Sequence, residues 1–411
     1  MRSGIVTTFC RGEGKHPQLK ETFAYIDANK ARFLDELKDL VRIPSVSAQI
    51  ERRKDLQKAA KWVADKVKSL GFKVEMTDPE GNTNNPNMRP VIYAEGPKKS
   101  GRPTVLFYGH YDVQPPGDLS RWTSPPFEPT ERNGHLYARG ATDDKGQVMM
   151  HLCALEALNK AGSGVPVNLK LLIEGEEEVI DTHLEAYIRA NRKRLAADIA
   201  VVSDTSAYDI EHPAVTYGLR GIAECHLEVI GPNDDKHSGE YGGTLHNPAH
   251  VLSRIVATLH DRNGKVAVKG FYDDVKPLAK WEREMWKKLP FRETSYARSL
   301  GISQTYGEKG YTTLERRWGR PTLDITGMQV GHVEGSDTNI IPHRAWCRVT
   351  MRLVPDQNPD KVCKLLEQHV REVAPKGVRV NVHKRGGQPA VLVDTSGPYM
   401  EAATAAMKAG F

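Results

Sequence analysis

Four segments of this chain carry side chains able to hold a hard cation. They are Phe107-Tyr108-Gly109-His110-Tyr111-Asp112, Arg139-Gly140-Ala141-Thr142-Asp143-Asp144-Lys145-Gly146, Leu171-Leu172-Ile173-Glu174-Gly175-Glu176-Glu177-Glu178 and Ala200-Val201-Val202-Ser203-Asp204-Thr205. Each stands at the expected C-terminal end of a strand, where open α/β sheets place their ligand sites. Taken singly, each has a plainer reading. His110 and Asp112 could be a hydrogen-bonded pair in a turn, and Asp143 or Asp144 could cap the helix that begins near Gly146. The Glu174–Glu178 run could be a solvated acidic loop. Taken together, one imidazole and several carboxylates make a hard N/O donor set that suits zinc, manganese or cobalt, not copper(I) or iron–sulfur. The adjacent carboxylates Asp143 and Asp144 repel each other and call for cations or exposure. Two metals sharing a bridging carboxylate need about this many groups, and of the neighbours Glu177 and Glu178 one can bind metal while the other takes a proton from bound water.

The elements that must position these groups follow from periodicity. Phe23, Ile26, Phe33, Leu37 and Leu40 recur at near-helical spacing over Leu19–Val41, and Ile43-Pro44-Ser45 ends that helix. A second helix is expected over Leu56–Leu70, stopped by Gly71. Strands follow at Lys73–Met76, Val91–Ala94 and Thr104–Tyr108, a helix at Gln147–Ala161, a strand at Asn168–Glu174, a helix at His183–Arg194 and a strand at Ile199–Ser203. Such alternation predicts an α/β domain with a mainly parallel sheet flanked by helices. The texture changes after Tyr217-Gly218-Leu219-Arg220-Gly221. Glu224–Ile230 alternates as a half-exposed strand, helices are expected at Pro248–Asp261 and Val275–Lys288, then a strand at Arg344–Leu353, a helix at Asp360–Val373 and a strand at Val378–His383. The expected organisation is a metal-binding catalytic domain over 1–216, an inserted α+β domain over 217–388, and a return to the first domain over 389–411, where Tyr399–Lys408 starts a helix.

Composition excludes several alternatives. With 39% hydrophobic and 27% charged residues the chain has the makeup of a soluble globular protein, and it has no apolar run of membrane-spanning length. Met1–Gln18 lacks the apolar region of a signal peptide, so a cytoplasmic setting is expected. The net charge of +6 is spread thinly, and the clusters Arg52–Lys54 and Arg192–Arg194 read as solvated helix faces, not a nucleic-acid site. The five cysteines, Cys10, Cys153, Cys225, Cys347 and Cys363, form no CxxC pair; a disulfide framework or Cys-based zinc site is not expected, and Cys153, Cys225 and Cys347 read as small core residues. Asn82–Pro90 and Pro115–Pro129 read as ordered loops.

The stretches FYGHYDVQP, WTSPPFEP, LYARGATDDKG, EGEEE, VVSDT, KHSGEYGG, RPTLDITG and IIPHRAWCRVTMRLVPDQNP together resemble the dinuclear zinc peptidases and deacylases that include carnosinase, cytosolic nonspecific dipeptidase and acetylornithine deacetylase. The resemblance extends from about Glu21 to the end; HSGEYGG, RLVPDQNP and Asp204 point to the dipeptidase branch. It implies that His110 and Asp204 bind one zinc, Glu178 the second, and Asp143 bridges, with Asp112 orienting His110 and Glu177 as general base. It implies a cis bond between Asp143 and Asp144. His237 would stabilise the oxyanion, usually of a partner subunit in a homodimer formed through the inserted lid domain, while Asn339 and Arg352 would bind substrate. The implied reaction is metal-dependent hydrolysis of dipeptides or short peptides; an N-acyl-amino-acid deacylase of the same fold, or a non-catalytic dimerising relative, are the alternatives. The chain departs from the pattern at Lys236 and at Val179-Ile180-Asp181. The resemblance also places a last His ligand and a glycine-serine substrate loop beyond Phe411. The resulting expectation is a C-terminally truncated chain that holds about one zinc tightly and has little or no peptidase activity; His332 and His343 do not match the absent ligand's position and would be its replacement only if the chain held two metals with full activity.

Overall fold

The structure, a computed structural model, describes residues 5–6, 19–78, 89–161, 164–179, 183–209, 212–331 and 339–410. Cys10, His332, most of the expected Asn82–Pro90 loop and the segment Met1–Gln18, apart from the backbone of 5–6, lie outside the described residues. The chain divides into two compact units, Met1–Val215 with Ser396–Phe411, and Thr216–Thr395.

In the first unit, α1 (Lys20–Val41) buries Phe33, Leu37, Leu40 and Val41. Helix α2 (Arg53–Ser69) turns Leu56, Ala59, Ala60, Val63, Ala64 and Val67 inward, the stripe expected of a helix on a core. Gly71 follows with φ +88°, a left-handed conformation that glycine adopts without strain. Five strands form the central sheet: β1 (Lys73–Thr77), β2 (Val91–Glu95), β3 (Thr104–His110), β4 (Asn168–Glu174) and β5 (Ile199–Val202), in the order β1-β2-β4-β3-β5. Helix α3 (Lys145–Lys160) and α1 and α2 share one core with it, built on Leu40, Leu56, Ile92, Phe107, Leu152 and Leu171.

Four of the five strands run in the same sense, as expected of a mainly parallel sheet, and β2 is the reversed one. Strand β3 runs parallel to β4 and β5, but β2 runs antiparallel to both β1 and β4. A parallel crossover takes a dozen or more residues, usually with a helix. The link Gly96–Pro103 between β2 and β3 is shorter than that, so the chain must reverse direction there. The expected helix His183–Arg194 is broken at Asn191 into His183–Ala190 and Arg192–Leu195.

The second unit is built on a four-stranded antiparallel sheet of β6 (Gly221–Ile230), β7 (Thr322–Val330), β8 (Arg344–Leu353) and β9 (Arg379–Gln388), in the order β7-β8-β6-β9. Alternation along β6 is strict: Ala223, Cys225, Leu227 and Val229 are fully buried and the residues between them are not. Helices α4 (Pro248–Ala257) and α5 (Pro359–Val373) cover that face, each opened by an Asn cap and a proline in the first turn. The expected helix Val275–Lys288 begins only at Lys280. Pro277 disfavours helical backbone at Lys276, and Glu282 instead accepts a hydrogen bond from the Ala279 N–H at the true start. The unit runs to Thr395 because Val391–Leu392 pairs with Gly218–Leu219. Among the described residues no helix is long and apolar enough to cross a membrane.

Candidate metal centre

His110 is the last residue of β3, and the register sets it beside Glu174, the last residue of β4. Its ring is fully buried. Nδ1 lies 3.1 Å from the Asp112 carbonyl oxygen and 3.2 Å from Asp112 Oδ1. That leaves Nε2 facing a ring of carboxylates: Asp143 Oδ1 at 3.2 Å, Asp204 Oδ2 at 3.7 Å and Glu177 Oε2 at 4.0 Å. Despite this company Nε2 has no aligned hydrogen-bond partner. A buried polar atom left so is what a coordinated cation would satisfy. The donor atoms of His110, Asp143 and Asp204 lie within 4.8 Å of one another, and so do those of His110, Glu177 and Glu178. The five groups fit a hard divalent ion, or two, in number and in donor chemistry.

Side chains beyond this ring hold it in place. Asp112 Oδ2 accepts from the Glu178 N–H at 3.1 Å, and Gln114 Nε2 donates to Glu178 O and Oε2, both at 2.9 Å. Asp144 sits at the start of α3 but its carboxylate does not cap that helix. It accepts instead from the His110 N–H at 3.0 Å, so the capping reading of this Asp pair is corrected. This close approach depends on Gly109, where a Cβ would meet Val148 Cγ2 at 2.7 Å and Asp144 Oδ2 at 2.8 Å. The Asp143–Asp144 peptide bond is cis. Lys145, fully buried, donates to the Leu40 and Ile43 carbonyls at 3.1 and 2.6 Å, tying the start of α3 to the end of α1. From α3, His151 Nε2 lies 2.7 Å from Ser203 Oγ, next to Asp204. Gln114, Lys145 and His151 did not stand out in the sequence, although Gln114 and Lys145 lie inside HYDVQP and DDKG.

The electrostatics express a shortage of positive charge. Burial, then repulsion from Asp204 and Asp143, pushes Asp144 up to about 7. Burial, then Glu178, Asp204 and Asp112, pushes Glu177 up to about 7, and burial also raises Glu178. Burial alone would lower His110, but Asp112, Asp143 and Asp204 outweigh it and hold the imidazole protonated well above its ordinary range. Contact with His110 keeps Asp143 low. Without a metal, protons occupy the place a cation would take.

The remaining candidates lie in the second unit. His237 is exposed on a short strand, Lys236–His237, paired with Ile340–Ile341, and its Nδ1 accepts from the Gly239 N–H at 3.0 Å. Asn339 is adjacent, its carbonyl accepting from the Ser238 N–H at 2.8 Å. Arg352 points to the exposed face of β8, between buried Met351 and Leu353. His343 is held by Asp235, Nδ1 to Oδ1 at 2.7 Å.

The chain matches the model of peptidase family M20/M25/M40 over residues 106–411. It is 32% identical over 361 residues to the Cys-Gly metallodipeptidase dug1 of Schizosaccharomyces pombe, covering 86% of this chain and 76% of that protein. Its fold is similar to human carnosine dipeptidase 1, with TM-score 0.81 and 32% identity over 95% of this chain and 84% of that one. It is also similar to the M20 metallo-carboxypeptidase Sso-CP2 of Sulfolobus solfataricus, with TM-score 0.77 and 32% identity over 92% and 83%. A strand-end cluster of divalent-metal donors on this mixed α/β fold, within a chain so matched, belongs to peptidase family M20/M25/M40, and the chain is a metal-dependent hydrolase of that family.

Proposed function

We propose that this chain hydrolyses dipeptides or short peptides, releasing the N-terminal residue, with zinc held by His110, Asp143, Glu178 and Asp204. The observation that carries the reading is the buried, unpartnered Nε2 of His110 among carboxylates from separate segments. In this reading His110 and Asp204 would hold one zinc and Glu178 a second, with Asp143 serving as a ligand to both. Such ions, when bound, polarise a scissile carbonyl and bring the pKa of water down to about 7. Asp112 faces Nδ1 and so keeps Nε2 free as the donor. Glu177, partly exposed and shifted toward neutrality, takes the proton of the attacking water and returns it to the leaving amine.

The roles of the second unit rest on the resemblance: His237 as oxyanion donor, Asn339 and Arg352 as substrate contacts, with Arg352 clasping a terminal carboxylate. A homodimer formed through that unit belongs to the same proposal. So does a cytoplasmic setting, in keeping with four described cysteines that are free thiols. The named dipeptidase relatives favour dipeptides; the carboxypeptidase among the similar structures favours a second reading with longer peptides. The test sets zinc-loaded protein against Cys-Gly, β-alanyl-histidine, a blocked tetrapeptide and N-acetyl amino acids, with metal content measured in parallel. Turnover of the dipeptides, lost together with metal in His110→Ala, is expected. Preference for the blocked tetrapeptide or the N-acetyl amino acids would replace the proposal with the carboxypeptidase or deacylase reading. Metal uptake without turnover of any of them would leave a binding protein.

A further inference from the structure

Away from the metal cluster, the second unit holds two thiols in direct contact. Cys225 lies on the covered face of β6, flanked by buried Ala223 and Leu227. Cys363 lies in the first turns of α5, on the face that also buries Val362, Leu366 and Val370. The Cys225 thiol donates to Cys363 Sγ at 3.0 Å, and neither sulfur is bonded. That separation is about 1 Å more than a disulfide bond, so closure needs only a small side-chain shift. The same core also holds Cys347 and Met351, but only Cys225 and Cys363 have their sulfurs in hydrogen-bonding contact among the described residues.

The surroundings make the pair unequal. The proton that Cys225 donates favours the thiolate on Cys363, and the Lys384 ammonium acts the same way. Lys384 stands opposite Cys225 on β9 and is anchored by Asp360 in the first turn of α5. The ladder between β6 and β9 slips between Glu224 and Cys225, interrupting the backbone cover beside the sulfurs. Cys363 is buried but, at 6%, not fully enclosed, whereas Cys225 is at 0%.

We propose that Cys225 and Cys363 form a modification site for peroxide, closing to a disulfide that ties helix α5 to the inner strand β6. The Cys363 thiolate attacks one peroxide oxygen; an S–O bond forms, the O–O bond breaks, and the departing hydroxide leaves as water with the proton Cys363 gave up. Cys225 sulfur then displaces the hydroxyl of the resulting sulfenic acid. The S–S bond forms, the S–O bond breaks, and the Cys225 proton leaves with that hydroxyl as a second water. Two thiols are oxidised and one peroxide is reduced to two waters.

The test treats the reduced full-length chain with hydrogen peroxide, removes the excess with catalase, denatures, and alkylates the remaining thiols. Peptide mass mapping should find Cys225 and Cys363 unalkylated and cross-linked to each other, with both thiols recovered by dithiothreitol. The oxidised chain should melt roughly 5 °C or more above the reduced one, because the bond closes a long loop. In Cys225→Ser, Cys363 should be trapped as a sulfenic acid by dimedone. Full alkylation of both residues after peroxide treatment of the folded wild type would overturn the proposal. So would a sulfenic acid on wild-type Cys363 that never resolves, or equal melting of the two forms.

Discussion

The metal-free chain should lose stability as pH rises from 5 to 7, and metal should abolish most of that loss. The clearest contributor is Asp144, 1% exposed, with one carboxylate oxygen unpartnered. Its pKa rises from 3.8 in the unfolded chain to about 7 in the fold, so the folded state binds the proton more tightly. The sign is therefore opposite to that of an ordinary paired carboxylate: the contribution is present at low pH and is lost as pH climbs from about 4 to about 7. A shift of about three units corresponds to about 4 kcal/mol, of which about 2 kcal/mol falls between pH 5 and 7. Glu174, 4% exposed and pushed up to about 7 first by burial, acts with the same sign. His110, raised above its ordinary value, also loses its contribution with rising pH. Asp143, lowered, has its full contribution above its unfolded value of 3.8 and changes little in this window. Lys145 is pushed down to about 7 by burial, and its opposite effect develops only above that pH. From Asp144 alone the melting temperature in chelator should then fall by roughly 4–8 °C between pH 5 and 7, taking the scale of a 200-residue domain. With saturating zinc the curve should be nearly flat. A flat or rising curve in chelator would show that these carboxyls are ionised at no cost, and an equal fall with zinc would show that the cation does not sit among them.

Glu177→Gln should keep its metal while losing about 10²–10⁴ in kcat, the share of a general base; if Glu178→Gln instead abolishes turnover with both metals bound, the two roles are reversed. Gly109→Ala drives a methyl into Val148 and Asp144, so chemical denaturation should register a loss of about 1–3 kcal/mol together with weaker metal binding. Unchanged stability would mean that those neighbours yield. Lys145→Met leaves the Leu40 and Ile43 carbonyls without their donor, a cost of about 1–3 kcal/mol by urea titration that Lys145→Arg should not restore, since the longer fork does not fit the enclosed site. His237→Ala should depress kcat with metal content intact. Mixing its subunits with Glu177→Gln subunits should recover activity if His237 serves the partner, and no recovery after verified exchange would assign it to its own chain or to no catalytic role.

Sequence periodicity was most informative where one face of an element is buried. The inward stripe of α2, the alternation of β6 and the strand Asn168–Glu174 all lie where the residue pattern puts them. It did not single out the one reversed strand, β2, because an apolar run reads the same either way; only the short Gly96–Pro103 link held that information. Helix starts slipped for a similar reason at Lys280, where Pro277 outweighed the periodicity around it. In the candidate site, the acidic and His donors were legible because apolar strands ending in charge are conspicuous. Gln114, Lys145 and His151 were not, since each acts through a backbone carbonyl or a neighbouring side chain across the fold, and one-dimensional spacing does not encode such pairings.

The reversed strand β2 leaves the site untouched, and the reason is geometric. Strands β3, β4 and β5 are neighbours that run parallel, so their C-terminal ends share one edge of the sheet. That edge receives His110 from β3, the Glu177–Glu178 pair just past β4, and Asp204 just past β5. The turn before α3 adds Asp143 from the side, fixed by Lys145 to α1 and by Asp144 to the His110 backbone. The antiparallel strand β2 ends at the opposite edge and can add nothing. Four carboxylates and one imidazole thus meet because three strands point the same way, an arrangement whose mutual repulsion the proposed cation would relieve. A sheet built for packing alone would gain by removing any one of these charges. A site that binds a divalent ion and turns a nearby carboxylate into a base at neutral pH requires all of them together.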